Sequence, residues 1–333
     1  MSDEYLWNRS GPPDPEIERL ERLLGRLRTT PAAPEWPAQL APRTRVAGPL
    51  LALAAGLILA CAAAIWTIGR IAEPSWSVVR VDGTPVVGAR KLTGAGQLAV
   101  GELLVTDDRS RASVAVADVG RLDVAPDTRI RLVGTRDGRH RLSLDRGTVH
   151  ATIWAPPGEV VVDTPASTAV DLGCAYTLSV APDGAGVIEV EVGWVGFEFN
   201  GREAFIPAGA RCATRPRVGP GTPYYDELDR SAREALAVID FGEPDDRARR
   251  AALATVIAAA KREDAMTVWH LLTRVPTADR DQVFDALAHL VPPPAGVTRE
   301  GIRNGDRVMR DRWWDALELG TSSWWRLWEH EWR

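Results

Sequence analysis

Three stretches decide the fold of this chain: RASVAVA at 111–117, TRIRLV at 128–133 and RHRLSL at 139–144. Apolar residues alternate with polar or small ones along all three, as in a strand with one face buried and one face wet. The residues between them are rich in Gly, Pro and Asp, which end strands and start turns. Further along, Asp183-Gly184-Ala185-Gly186 reads as a turn leading into VIEVEV at 187–192, another strand. No long helical period interrupts this texture, so residues 76–215 are expected to form an all-β domain, a sandwich or a short β-solenoid.

Downstream the pattern changes. Residues 216–224 are a Gly/Pro-rich linker, and 225–333 read as an α-helical domain. Leu228, Ala232, Leu236 and Ile239 recur at helical spacing, and Pro244 opens a second helix carrying Leu253, Val256 and Ile257. A third holds Val268, Leu271 and Leu272; a fourth follows Pro276-Thr277 and stops at Pro292-Pro293-Pro294. No fixed period supports a repeat assignment. The tail carries Trp313, Trp314, Trp324, Trp325, Trp328 and Trp332. These suit a helical core, a docking face or a membrane interface.

Upstream, residues 46–69 are uncharged, VAGPLLALAAGLILACAAAIWTIG. A helix of this length crosses the roughly 30 Å hydrocarbon core of a bilayer, so 46–70 is expected to be a single transmembrane helix. A signal peptide would lie nearer the N-terminus and be shorter. Arg26, Arg28, Arg43 and Arg45 precede the run, whereas Arg70 and Glu73 follow it. The positive-inside rule then places the N-terminus in the cytoplasm and the C-terminal part outside.

Residues 1–45 form the expected cytoplasmic segment. Asp14-Pro15-Glu16 is a helix start: an N-cap acceptor, Pro at the first position, and an acid near the positive end of the dipole. The helix brings Ile17, Leu20, Leu24 and Leu27 onto one face, with Leu23 beside them. A helix this short is marginal alone, so its stripe should rest on a partner, a second copy or a membrane surface. Prolines at 31, 34, 37 and 42 make the rest a stiff spacer.

Composition excludes several functions. A net charge of −5 argues against direct nucleic-acid binding, which needs a basic patch. His140, His150, His270, His289 and His330 show no ligand-like pairing, so no metal is expected. Asp107-Asp108 and Asp245-Asp246 are explained by turn and helix-start chemistry. No phosphate loop, nucleophile elbow or dinucleotide fingerprint occurs, so neither a catalytic site nor a cofactor is expected. Cys174 and Cys212 are either a disulfide or two buried free thiols.

The order of motifs resembles the FecR family of bacterial inner-membrane regulators. It comprises Gly101-Glu102, Thr106-Asp107, Gly120 with Leu122 and Val124, Pro126-Asp127-Thr128 and Gly147-Thr148-Val149. Val162-Asp163-Thr164-Pro165, Gly173 with Tyr176, Val192-Gly193-Trp194-Val195 and Pro207-Ala208-Gly209 follow. Cys174 stands where that family usually has Thr, and Val192 where it commonly has Glu. The C-terminal region differs from the small α/β signalling domain of the iron-transport members.

The resemblance implies a single-pass inner-membrane signal-transducing regulator with its C-terminus in the periplasm. It would relay an extracytoplasmic signal to a cytoplasmic extracytoplasmic-function (ECF) sigma factor. Ile17, Leu20, Leu23, Leu24 and Leu27 would make that contact, and an envelope or outer-membrane protein would be the outside partner. The rival expectation is an envelope scaffold without sigma-factor control. Taken together, the expected fold class is a membrane-anchored multidomain chain with one transmembrane helix, an all-β FecR-like domain and an α-helical C-terminal domain.

Overall fold

The computed structural model describes residues 15–25, 75–243, 245–320 and 322. The chain divides into two units, Met1–Gly69 and Arg70–Arg333. In the first, helix α1 spans Pro15–Gly25, beginning at the proline that the start signal marks and carrying Arg22 in its last turn, where a cation suits the dipole.

The second unit begins with β1 (Ser75–Asp82), β2 (Val86–Val87), β3 (Arg90–Lys91), β4 (Ala95–Ala99), β5 (Leu103–Val105) and β6 (Arg111–Val116). Next come β7 (Gly120–Val124), β8 (Arg129–Arg136), β9 (Arg139–Ile153), β10 (Val160–Asp163), β11 (Thr168–Asp171) and β12 (Ala175–Val180). The last are β13 (Gly186–Val192), β14 (Trp194–Phe199), β15 (Arg202–Pro207), β16 (Ala210–Arg215), β17 (Gly219–Pro220) and β18 (Tyr224–Tyr225).

Hydrogen bonding sorts these strands into two arms that share β9. One arm runs β4–β1–β6–β7–β9–β12–β13–β16, with β17 and β18 both on β16. The other runs β3–β2–β5–β8–β9–β10–β11–β14–β15. The pairs are antiparallel except β9 with β10, which makes the sheet mixed. The first half of β9 pairs with β8 and β10; its second half pairs with β7 and β12.

The switch falls at Gly147, whose φ of +93° is a backbone state that side chains resist. A Cβ there would lie 2.3 Å from Thr128 Cα. The two arms face one another: Trp76 Nε1 of β1 donates to Thr135 Oγ1 of β8 at 3.1 Å. Val114, Leu122, Val149 and Leu178 from one arm join Leu104, Ile130, Leu132 and Leu142 from the other in a single core, all fully buried. Each such side chain contributes about 1.5–3 kcal/mol through burial, which the alternating pattern secures. A one-residue register slip would turn the whole set outward.

The α-helices that follow among the described residues include α2 (Arg230–Phe241), α3 (Asp246–Ala259), α4 (Ala265–Arg274), α5 (Arg280–Leu290), α6 (Arg299–Arg303) and α7 (Arg307–Asp315). Asp229 caps α2 by accepting the Ser231 N–H at 2.8 Å, and Asp245 caps α3 by accepting that of Arg247 at 2.9 Å. The Asp245-Asp246 pair is therefore helix-start chemistry. Asp107 likewise closes a turn, accepting the Ser110 N–H at 2.8 Å. Trp313 and Trp314 are core residues with no exposed side chain, whereas Trp324, Trp325, Trp328 and Trp332 lie outside the described residues.

Two expectations are corrected here. The segment 46–70, read as a transmembrane helix, lies outside the described residues. Among the described residues no helix is long and apolar enough to cross a membrane. The longest, α3, has 14 residues and so spans about 21 Å of a roughly 30 Å core. The single-pass inner-membrane localisation, with a cytoplasmic N-terminus and a periplasmic C-terminus, is therefore not carried forward. The membrane-anchored fold class is replaced by what is described: a large mixed sheet with helices in its C-terminal region.

Candidate functional site

The first candidate is α1. Leu20, Leu23 and Leu24 leave 56%, 57% and 57% of their surface exposed, so this stripe is uncovered. Leu27 and the side chain of Ile17 lie outside the described residues. With 11 residues the helix is too short to hold its shape on propensity alone, and exposed leucines are what a partner groove would cover.

The second candidate is where the sheet meets the helices. Asp240, on the buried face of α2 four residues after Leu236, receives Arg202 Nη2 at 2.8 Å from β15. It also accepts the Thr222 N–H at 2.6 Å and the Thr222 hydroxyl at 3.1 Å. Arg274, closing α4, donates through Nη2 to the carbonyls of Glu203 and Gly221, at 2.6 and 3.2 Å. Its Nε stands 3.8 Å from Asp240 Oδ1, and each of the two side chains is 3% exposed. Burial raises the Asp240 carboxyl, against the pull of Arg274 and Arg202. Burial, seconded by Arg202, brings the Arg274 guanidinium down to about 10.

His270 lies one turn before Arg274. Its Nδ1 donates to the Met266 carbonyl at 2.8 Å, because a carbonyl can only accept. Its Nε2 accepts the Phe205 N–H at 3.0 Å. Both ring nitrogens are thus committed to the neutral form, and burial, seconded by Arg274, lowers the group to about 3. Such a histidine joins β15 to α4 and has no nitrogen left for proton transfer. Trp269, Phe205 and Trp194 surround Trp314 with centroids 4.8, 6.0 and 5.9 Å away. Beside this group opens a cavity of about 280 Å³, lined by Arg202, Glu203, His270, Thr273, Arg274 and Arg310 among others.

Cys174 and Cys212 are both free, buried thiols. Cys174 Sγ donates to Asp171 Oδ2 at 2.5 Å, and Asp171 also accepts the Gly173 N–H at 2.7 Å. Burial lifts the Asp171 carboxyl to about 7 despite these bonds. Burial and the neighbouring Asp171 push the Cys174 thiol far up. Cys212 Sγ lies 3.5 Å from the carbonyls of Ala213 and Gly221, and burial takes it to about 12. Among the described residues no cluster of His, Cys, Asp or Glu is placed to hold a metal.

The junction of Arg202, Asp240, His270 and Arg274 was not anticipated from the sequence. One local signal is Asp240 itself, a carboxylate in line with the apolar positions Ala232 and Leu236. His270 and Arg274 stand four apart within the apolar α4, a second trace of the same kind.

The structure so built is a β-sheet protein flanked by helices, with its buried ionisable groups tied into the packing. Residues 102–196 match the family model described as FecR protein. The match runs from the edge of β5 to the middle of β14 and includes the Gly147 corner. Two crystal structures of a candidate anti-sigma factor from Parabacteroides distasonis ATCC 8503, at 2.50 and 1.65 Å resolution, are similar at 12% identity and a TM-score of 0.33. Each similarity covers 40% of this chain and 62% or 63% of the solved one, so the chain spans less than two thirds of their length. No curated protein matches the chain.

Proposed function

We propose that this protein is a signal-transducing regulator of an ECF sigma factor, with no catalytic chemistry of its own. The FecR domain receives the stimulus, and α1 carries the outcome to the partner. The FecR match over residues 102–196 supports the regulatory class. The observation that carries the contact is the uncovered row of Leu20, Leu23 and Leu24. A groove that buried these three would gain about 1–2 kcal/mol from each, enough to hold an otherwise marginal helix in shape.

The test is co-purification of the full chain with ECF sigma factors, comparing wild type with a Leu20→Ala, Leu23→Ala, Leu24→Ala variant. Wild type should retain one sigma factor, and the variant should lose it while the β unit unfolds at an unchanged temperature. Equal retention by both would remove the leucine stripe from the contact. Absence of any sigma factor from both would remove the regulatory reading.

A further inference from the structure

Residues 129–146 carry six arginines against Asp137 and Asp145, in a chain whose net charge is −5. Alternation decides where those arginines lie. Ile130, Leu132, Leu142 and Leu144 turn into the core, so Arg129, Arg131 and Arg141 stand on the outer face of β8 and β9. Arg141 is answered there by Asp163 at 2.5 and 2.9 Å, and Arg139 is engaged as well. Arg131 gives its Nη1 to the Gly101 carbonyl at 2.7 Å. Among the described residues Arg129, Arg136 and Arg146 form no ion pair, and neither does Lys91 on β3. Asp127, Asp137 and Asp145 are the carboxylates beside them in the chain, too few to balance the face.

The register across the strands shows what surrounds these cations. Lys91, Val86, Val105, Arg129 and Arg146 stand directly opposite one another in turn, from β3 through β2, β5 and β8 to β9. Leu103 stands opposite Arg131 in the neighbouring row. Val86, Leu103 and Val105 are half-buried, and Val133, at the bulge in β8, is 42% exposed. Four strand spacings of about 4.8 Å make the first row about 19 Å long. Both edges of β8 are hydrogen-bonded, to β5 and to β9, so nothing can add there as a strand. An occupant must be held by side chains. A nucleic acid or an anionic glycan would use the cations and leave the valines wet.

We infer that this face, across β2, β5, β8 and β9, docks an acidic amphipathic helix of a partner protein. Carboxylates of that helix pair with Arg129, Arg146 and Lys91, and its apolar stripe covers Val86 and Val105. About 13 helical residues reach from one end of the row to the other. The planar fork of arginine matches a carboxylate, and the complementary charge steers the encounter. This surface is separate from the leucines of α1. The inference can therefore fail while the sigma-factor reading stands.

The experiment is fluorescence anisotropy of the full chain with a labelled helical peptide of about 14 residues, its leucines in one stripe flanked by glutamates. A polyglutamate peptide and an oligothymidylate of the same charge are the comparators. Saturable binding of the Glu/Leu peptide is expected, with both comparators weaker. Arg129→Glu together with Arg146→Glu should weaken it by at least about tenfold. Arg121→Glu together with Arg247→Glu changes the net charge equally, away from this face, and should leave binding within about twofold. All four arginines are exposed, so neither variant disturbs the core. Lack of saturation by the peptide, binding of either comparator as tight as the peptide's, or equal losses in the two double variants would overturn the inference.

Discussion

Arg202 Nη2 meets Asp240 Oδ1 at 2.8 Å, and this bond joins the last hairpin of the second arm to the first helix beyond the sheet. With Arg274 at 3.8 Å on the same oxygen, Asp240 is the shared counter-charge of β15, α2 and α4. Asp240→Ala would strand both guanidiniums, and breaking a buried pair from one side costs about 3–5 kcal/mol. Urea unfolding of the full chain should show a loss of that size, with tryptophan fluorescence and helical circular dichroism changing together. A loss below about 1 kcal/mol would mean that the sheet and helices do not depend on this tie.

Two buried groups give the stability opposing dependences on pH. The folded His270 stays neutral down to about 3, while an unfolded histidine takes a proton near 6.5. Its contribution is therefore complete above about pH 6.5 and is lost as pH falls toward 3. Asp171 acts the other way: the folded carboxyl holds its proton up to about 7, the unfolded one only to about 3.8. Stability from Asp171 grows as pH falls through that window, because the folded state binds more protons there. The two slopes, each at most about 1.4 kcal/mol per pH unit, offset one another in wild type. Asp171→Asn should therefore lose stability between about pH 7 and about pH 5 more steeply than wild type, and His270→Gln should gain it. Urea midpoints across that range check both signs, and parallel profiles for the two variants would refute the offset.

The thiols should be inert in the folded protein. Cys174 is held against Asp171 and Cys212 against two carbonyls, and burial keeps both protonated well above neutral pH. The thiolate is the reactive form, so neither should react with Ellman's reagent until the chain unfolds. In a Cys61→Ser background the reagent should report nothing at first and then both remaining thiols in denaturant. Rapid native labelling at either position would contradict the burial.

The strands were legible because alternation is local: Leu122 and Val124, Ile130 and Leu132, and Leu142 and Leu144 each mark a buried face within a few residues. The helices were legible for the same reason, at a different period, through Leu253 with Val256 and Leu271 with Leu272. What joins them was not. Arg202 and Asp240 stand 38 positions apart, and nothing near either one names the other. Residues 216–224 read as a linker on their Gly and Pro content, yet Gly219 and Pro220 pair with β16 and Thr222 bonds Asp240. Composition reports the backbone's turning there, and the bonds that turning makes depend on distant strands. The leucine stripe of α1 was legible as a stripe, because its spacing is local.

Gly147 shows the same division, and it carries the last prediction. Gly147-Thr148-Val149 is part of the motif order that suggested the family, but nothing near it in the sequence names the strands it pairs with. In the fold β9 runs straight through it, changing partners from one arm to the other. The left-handed φ of +93° turns the strand, and the Thr128 Cα at 2.3 Å from a Cβ position leaves no room for a side chain. Thr128 fastens the same corner, since its hydroxyl accepts the Thr148 N–H at 2.9 Å. Gly147→Ala must therefore meet backbone strain and a backbone clash together, a cost of about 2–4 kcal/mol. Gly134→Ala, in β8 with open space and an ordinary φ, is the control and should cost less than about 1 kcal/mol. Thermal unfolding of the two variants separates them, and equal midpoints would show that the shared strand does not need its corner.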